Sequence, residues 1–233
     1  MNPKDIVAKA ISENRNKLLE HEAYALIKAY NIPVPEVDLA KTPDEAGEIA
    51  EKIGYPVVLK IVSPDITHKS DVGGVIVELY DKKSVVEAAY RIFENVSKKA
   101  PNARISGILV QKMVPYGLEV IVGGLRDSVF GAVVMFGLGG IFVEVLKDVS
   151  FRIAPIDHRD ALEMINEIKS KRILEGYRNQ PPVSKEAIAN IIVNVGKLLI
   201  DLPIIESIDL NPIMAFPDKA IVADARIIIK MKQ

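Results

Sequence analysis

The stretch SPDITHKSDVGG, residues 63–74, sets His68 between Thr67 and Lys69 and follows it with Ser70, Asp71 and the pair Gly73–Gly74. A neutral imidazole nitrogen is a competent nucleophile towards phosphorus, and covalent catalysis splits one difficult transfer into two easier ones. A histidine in that role needs an exposed, mobile perch, a nearby cation and backbone N–H groups that glycine leaves uncovered. Lys69, Thr67, Ser70, Gly73 and Gly74 would supply them; the plainer alternative is a solvated loop histidine. His21 and His158 fall in helical stretches with ordinary polar neighbours and read as structural.

A second constellation closes the chain. In ESIDLNPIM, Asp209 and Asn211 alternate with Ile208, Leu210 and Ile213. On a strand this period of two points both polar side chains to one face. Asp224 follows the apolar run AIVA on the neighbouring strand. Two carboxylates and an amide make a hard oxygen set suited to Mg²⁺, or else line a solvated sheet face.

Isolated charges stand inside apolar runs. Lys60 in PVVLKIV either snorkels to water or meets a specific anion such as a phosphate. Glu119 in GLEVIV either accepts from ribose hydroxyls or faces solvent. GLGG, residues 137–140, lacks the Gly-Lys-Ser/Thr ending of a phosphate loop and leads into IFVEVL, which reads as a strand. A turn is the preferred reading there.

These residues must be positioned by an α+β scaffold. Residues 3–13 and 17–30 have helical periodicity, the second through Leu18, Leu19, Ala23, Leu26, Ile27 and Tyr30. NIPVPEVDLA stops that helix and starts a strand. TPDEAGEIAEKIG is a capped helix, with Thr42 at the N-cap, Pro43 first, Glu45 third and Gly54 beyond the end. YPVVLKIV, VIVEL and SGILVQKMV read as strands around a helix at 82–98. After the break near residue 112, GLEVIVGGLRD, SVFGAVVMFGLGG and IFVEVLKDVSFRIAPI follow as an antiparallel meander. Two helices, DHRDALEMINEIKS and SKEAIANIIVNVGKLLIDL, flank the polar stretch YRNQPPVS. The strands IESIDLNPIMAF and AIVADARIII, turning at Pro217–Asp218, complete the chain. The expected division is a lobe of residues 1–112 and a lobe of residues 113–233.

Composition narrows the function. The 233 residues are 49% hydrophobic and 26% charged, ordinary for a globular protein. A net charge of −1 supplies no field to draw the chain onto nucleic acid or anionic lipid. With no cysteine, disulfides, thiolate catalysis and cysteine-ligated metals are excluded. No apolar leader and no membrane-length run is present, so the expected location is cytoplasmic. The lack of Trp and Cys, with abundant Ile, Val, Lys and Glu, suits a thermophile.

Taken in order, HEAYALIKAYNIPVPE, GYPVVLKIVSPDITHKSDVGGV, GLEVIVGGLRD, MFGLGGIFVEVLKDVSFRIAPI and ESIDLNPIM resemble the β subunit of ADP-forming acetyl-CoA synthetases. These belong with succinyl-CoA synthetase among the nucleoside-diphosphate-forming acyl-CoA synthetases. The resemblance covers nearly the whole chain, and ITHKSDVGG and IDLNP are specific to the group. It implies an ATP-grasp fold, in which two α/β lobes clamp a nucleotide. It implies that acetyl-CoA and phosphate react on an α subunit, and that the phosphoryl group reaches ADP through a β-subunit histidine, which His68 matches. It further implies magnesium ligands at Asn211 and Asp224 with Asp209 close by, a phosphate-binding lysine at Lys60 and a ribose-binding acid at Glu119. The adenine hinge falls on the backbone of Gln111, Lys112, Met113 and Val114, and Arg152 would hold a phosphate. The implied assembly is an α2β2 heterotetramer. A carboxylate–amine ligase of the same fold, or a non-catalytic regulatory module, are the alternatives.

Overall fold

The computed structural model describes residues 2–140, 148–176 and 181–231. The chain forms two compact units, one of Leu19–His21 with Pro35–Val114, the other of Met1–Leu18, Glu22–Val34 and Pro115–Gln233. The division therefore falls at 114/115 rather than 112/113, and most of the N-terminal segment groups with the C-terminal half. The cause is hydrogen bonding within that second unit. Leu18 N–H donates to Ile227 O at 3.0 Å, Ile229 N–H to Asn16 O at 2.8 Å, and the Tyr24 hydroxyl to Ala223 O at 2.7 Å.

Helix α1 spans Pro3–Ser12, capped by Asn2 with Pro3 in its first turn. Helix α2 spans Glu20–Ala29, three residues shorter at its start than periodicity suggests. Lys17 bridges to Ile228 in strand geometry, so the residues before Glu20 are taken up by sheet edge.

In the unit of Pro35–Val114, the strands β1 (Val37–Ala40), β2 (Val57–Val62), β3 (Val75–Leu79) and β4 (Gly107–Lys112) form an antiparallel sheet in the order β1-β4-β2-β3. Helices α3 (Pro43–Ile53) and α4 (Lys82–Lys99) cover it. Ala46, Ile49, Ala50, Val85, Ala89 and Ile92 pack on Val57, Leu59, Ile61, Ile108 and Val110, which is the core of this unit. Thr42 caps α3 as expected, and Asp81 caps α4, exchanging bonds with Ser84 in a capping box.

The second unit holds an antiparallel sheet. Among the described residues its strands are β5 (Leu118–Asp127), β6 (Gly131–Leu138), β7 (Val149–Ile153), β8 (Ile205–Ala215), β9 (Ala220–Val222) and β10 (Ala225–Ile229). Their order is β10-β8-β5-β6-β7, with β9 also paired to β8. Helices α5 (His158–Glu167) and α6 (Lys185–Asp201) belong to the same unit, α6 burying Ile188, Ile191, Ile192, Val195, Leu198 and Leu199. The run AIVADARIII, expected as one strand, is broken at Ala223–Asp224. The reading of IFVEVL as a strand lies outside the described residues, as does the start of YRNQPPVS. No helix among the described residues is long and apolar enough to cross a membrane.

Candidate active site

The histidine loop leaves the end of β2 and returns at β3. Its first half is pinned by Ser63, whose hydroxyl oxygen accepts from the N–H groups of Asp65 at 3.1 Å and Ile66 at 3.3 Å. That turn drives Ile66 into the core, where it is 7% exposed. Asp65 grips the guanidinium of Arg104 with both oxygens, at 2.7 and 3.0 Å. The far half closes on itself: Gly73 N–H donates to Ser70 O at 3.0 Å and Gly74 N–H to Lys69 O at 2.8 Å. Asn95 donates to Gly73 O, and Lys99 to Asp71 O. Between these anchors His68 is exposed.

The glycine pair serves shape. Gly73 has a φ of +67°, which side-chain-bearing residues rarely adopt, and a Cβ at Gly74 would stand 2.4 Å from Ile61 Cγ2. Both N–H groups are engaged within the turn, so they are not the uncovered amides that the sequence suggested.

Lys60 sits in the middle of β2, whose residues are all buried. Its ammonium donates to Glu20 Oε1 at 2.6 Å. Lys69, the neighbour of His68, reaches the other oxygen of the same carboxylate at 2.7 Å. One carboxylate thus stands between two ammonium groups at the base of the loop.

The expected hinge lies at the end of β4. Gln111 is buried at 2% exposure, between Val37 and Val58 of the flanking strands. The Lys112 side chain caps the chain after α3, donating to Gly54 O at 3.2 Å and Tyr55 O at 2.7 Å. The N–H groups of Lys112 and Met113 donate to Glu36 O and Pro56 O. Those two amides are therefore committed to the fold, and a base read through this backbone would use carbonyls or Val114.

In the second unit, Glu119 is half-buried in β5 against Gly139 and Gly140; of GLGG, expected as a turn, Gly137 and Leu138 are instead the last residues of β6. Gly139 N–H donates to Glu119 O at 2.8 Å, and a Cβ at Gly139 would lie 2.9 Å from Glu119 Cβ. Close approach to Glu119 is thus what these glycines permit. Arg152 on β7 faces Glu167 of α5, with one nitrogen 2.9 Å from Glu167 Oε2, and that pairing raises its pKa. An anion at Arg152 would compete with this pair. An apolar recess of about 270 Å³, lined by Tyr116, Leu118, Val183 and Phe216 among others, contains none of the predicted site residues.

On β8, Asp209 and Asn211 are exposed while Ile208 and Leu210 are buried. Asn211 N–H donates to Asp224 O at 3.2 Å, which sets the two residues opposite each other where β9 and β10 part. Burial, then repulsion from Asp224, pushes the Asp209 carboxyl above its usual range; Arg226, its register partner on β10, acts the other way. Solvent still reaches Asp209, so crowding by protein atoms, not enclosure, disfavours its charge. Two carboxylates that repel one another, beside an amide oxygen, fit a hard divalent cation. Among the described residues no group of three or more His, Cys, Asp or Glu could enclose a metal. A cation here would complete its shell with phosphate oxygens and water, as Mg²⁺ does at nucleotide sites.

Residues 9–229 match the model of the ATP-grasp domain family. The β subunit of acetate–CoA ligase (ADP-forming) I from Pyrococcus furiosus is 53% identical over 97% of this chain and 97% of its own length. The chain belongs to the ATP-grasp family, among the β subunits of ADP-forming acetate–CoA ligases. Solved ATP-grasp relatives agree. Acetyl-coenzyme A synthetase 1 of Ca. Korarchaeum cryptofilum, with coenzyme A, acetyl-coenzyme A and a phosphorylated phosphohistidine segment in its site I orientation, superposes with a TM-score of 0.93 at 46% identity, covering 98% of this chain and 100% of that one. The same enzyme with coenzyme A and Mg-AMPPCP, its phosphohistidine segment pointing towards the nucleotide binding site, gives 0.88 at 44% identity with the same coverage.

Within this ATP-grasp chain, sequence reasoning missed Glu20. The signal was there: Glu20 stands three residues before Ala23 and seven before Ile27, on the apolar stripe of α2, where a charge calls for a partner. Asp65 and Arg104 were missed too, and 39 residues of separation hid their pairing.

Proposed function

We propose that this chain is the nucleotide-handling subunit of an ADP-forming acetate–CoA ligase and passes a phosphoryl group between His68 and Mg-ADP. The overall conversion is acetyl-CoA, ADP and phosphate to acetate, CoA and ATP, with thioester chemistry on a partner α subunit. The observation that carries this reading is an exposed imidazole on a loop anchored at both ends, with two lysines sharing one carboxylate at its base.

In the transfer, the terminal oxygen of ADP attacks phosphorus, the P–N bond to His68 breaks, and the ring regains one proton to return neutral. Catalysis of such transfers rests on positioning and on offsetting charge. Lys60 and Lys69 would offset the negative charge of the phosphoryl group. Asn211 and Asp224, with Asp209 beside them, would hold Mg²⁺, which screens the diphosphate. Glu119 would take the ribose and the 111–114 backbone the base. Arg152, paired with Glu167, is the weakest candidate for a phosphate contact.

Mixing the full chain with a cognate α subunit, ADP, phosphate and acetyl-CoA should yield ATP. His68→Ala should abolish ATP formation while leaving Mg-ADP binding unchanged. Full turnover by that variant would refute the relay. A wild-type chain that binds no Mg-nucleotide would instead favour a regulatory module.

A further inference from the structure

Glu20 has no role in the transfer described above, yet it is one of the most deeply buried charges in its unit, with its side chain 3% exposed. Its two oxygens serve different parts of the fold. Oε1 meets Lys60, fixed at the centre of β2, and Oε2 meets Lys69, which rides on the loop directly after His68. The two lysines are not equally held. The Lys60 side chain is 10% exposed and Lys69 22%, so the loop lysine can exchange its partner for another anion more readily. The segment carrying His68 and Lys69 is bounded by buried Ile66 on one side and by Gly74, bonded to Ile61, on the other.

We propose that Glu20 is a positioning residue that latches the His68 segment through Lys69, and that a phosphoryl group on His68 opens the latch by competing for Lys69. The proposal rests on the reading of His68 as the phosphoryl carrier. A phosphoryl group brings up to about two negative charges and strong acceptor oxygens. Placed one residue from Lys69, it offers the ammonium an anion that moves with the loop, whereas Glu20 stays behind with Lys60. The Lys60 link keeps Glu20 in place, so the latch can close again once phosphorus has left. The charge state of His68 thereby sets which seat its segment prefers.

The test uses the full chain with its α partner, in wild type, Lys69→Met, Lys69→Arg, Glu20→Gln and His68→Ala. Hydrogen exchange of residues 67–74 is followed before and after phosphorylation by Mg-ATP, together with single-turnover transfer to ADP. In wild type, phosphorylation should speed exchange of the Gly73 and Gly74 amides about tenfold, between the effect of an exposed ion pair and that of a buried one. Lys69→Met should exchange at the faster rate already and gain nothing on phosphorylation. Its kcat should change with KM for ADP within about twofold, and Lys69→Arg should restore wild-type behaviour. Lys69→Met leaves the buried Glu20–Lys60 pair intact, so it carries the test if Glu20→Gln does not fold. Exchange in Lys69→Met that matches wild type in both states overturns the latch. His68→Ala separates the two ideas: loss of transfer in it alone leaves the relay standing without the latch, and retained transfer removes both.

Discussion

The two units treat charge in opposite ways. In the sheet of β1–β4, a lysine occupies a fully buried strand and the fold supplies its counter-charge in Glu20. In the sheet of β5–β10, exposed Asp209 feels the repulsion of half-buried Asp224, while Arg226 acts the other way. A buried ion must be matched by the chain itself, because an isolated charge in the interior is prohibitively costly. Like charges near solvent repel one another at smaller cost, because water and salt screen them. The first arrangement serves the folded state, and the second is the one proposed above to hold a cation.

That contrast can be broken most forcefully at Glu20. Glu20→Ala removes one partner of the buried pair with Lys60 and should cost ~3–5 kcal/mol in urea unfolding. Asp209→Ala, on the other sheet, should cost no stability by the same measurement. Equal losses would erase the distinction.

Gly74→Ala should come next, at about 1–3 kcal/mol, because its methyl group must displace Ile61 beneath the histidine loop. Thermal unfolding with Ile61→Val added should recover part of the loss. Asp224→Ala should weaken Mg-ADP binding by roughly 10–100-fold in calorimetry, at least the loss seen when metal ligands lose their supporting partners. The smallest effect belongs to Asp209→Asn. A carboxyl whose pKa is raised by folding costs stability when ionised, and that cost appears as pH rises from the ordinary carboxylate range through the raised value. The variant should therefore melt about 2 °C higher at neutral pH, a shift small for a chain of this length, and no higher at about pH 3, where both states hold the proton.

The sequence was most legible where periodicity or capping chemistry is local. Thr42 caps its helix as read, and the alternation of Asp209 and Asn211 with buried Ile208 and Leu210 follows directly from strand geometry. The ion pairs were less legible, because Lys60 with Glu20 and Asp65 with Arg104 depend on which elements meet. Gly73 and Gly74 were read as exposing amides, and they instead close the loop. The break of AIVADARIII at Asp224 was hidden too, since β-branched residues on either side read as one run. The regrouping of residues before Leu19 with the C-terminal strands could not be inferred from propensity, since it rests on hydrogen bonds to residues more than two hundred positions away.

The central claim is that His68 accepts phosphorus. The direct measurement is to incubate the full chain with Mg-ATP labelled at the γ-phosphate, digest it under alkaline conditions and locate the label. An acid-labile, alkali-stable phosphate on the peptide carrying His68, chased off by ADP, is the predicted result. Label on any other residue, or none on a chain that demonstrably binds Mg-ATP, would contradict it.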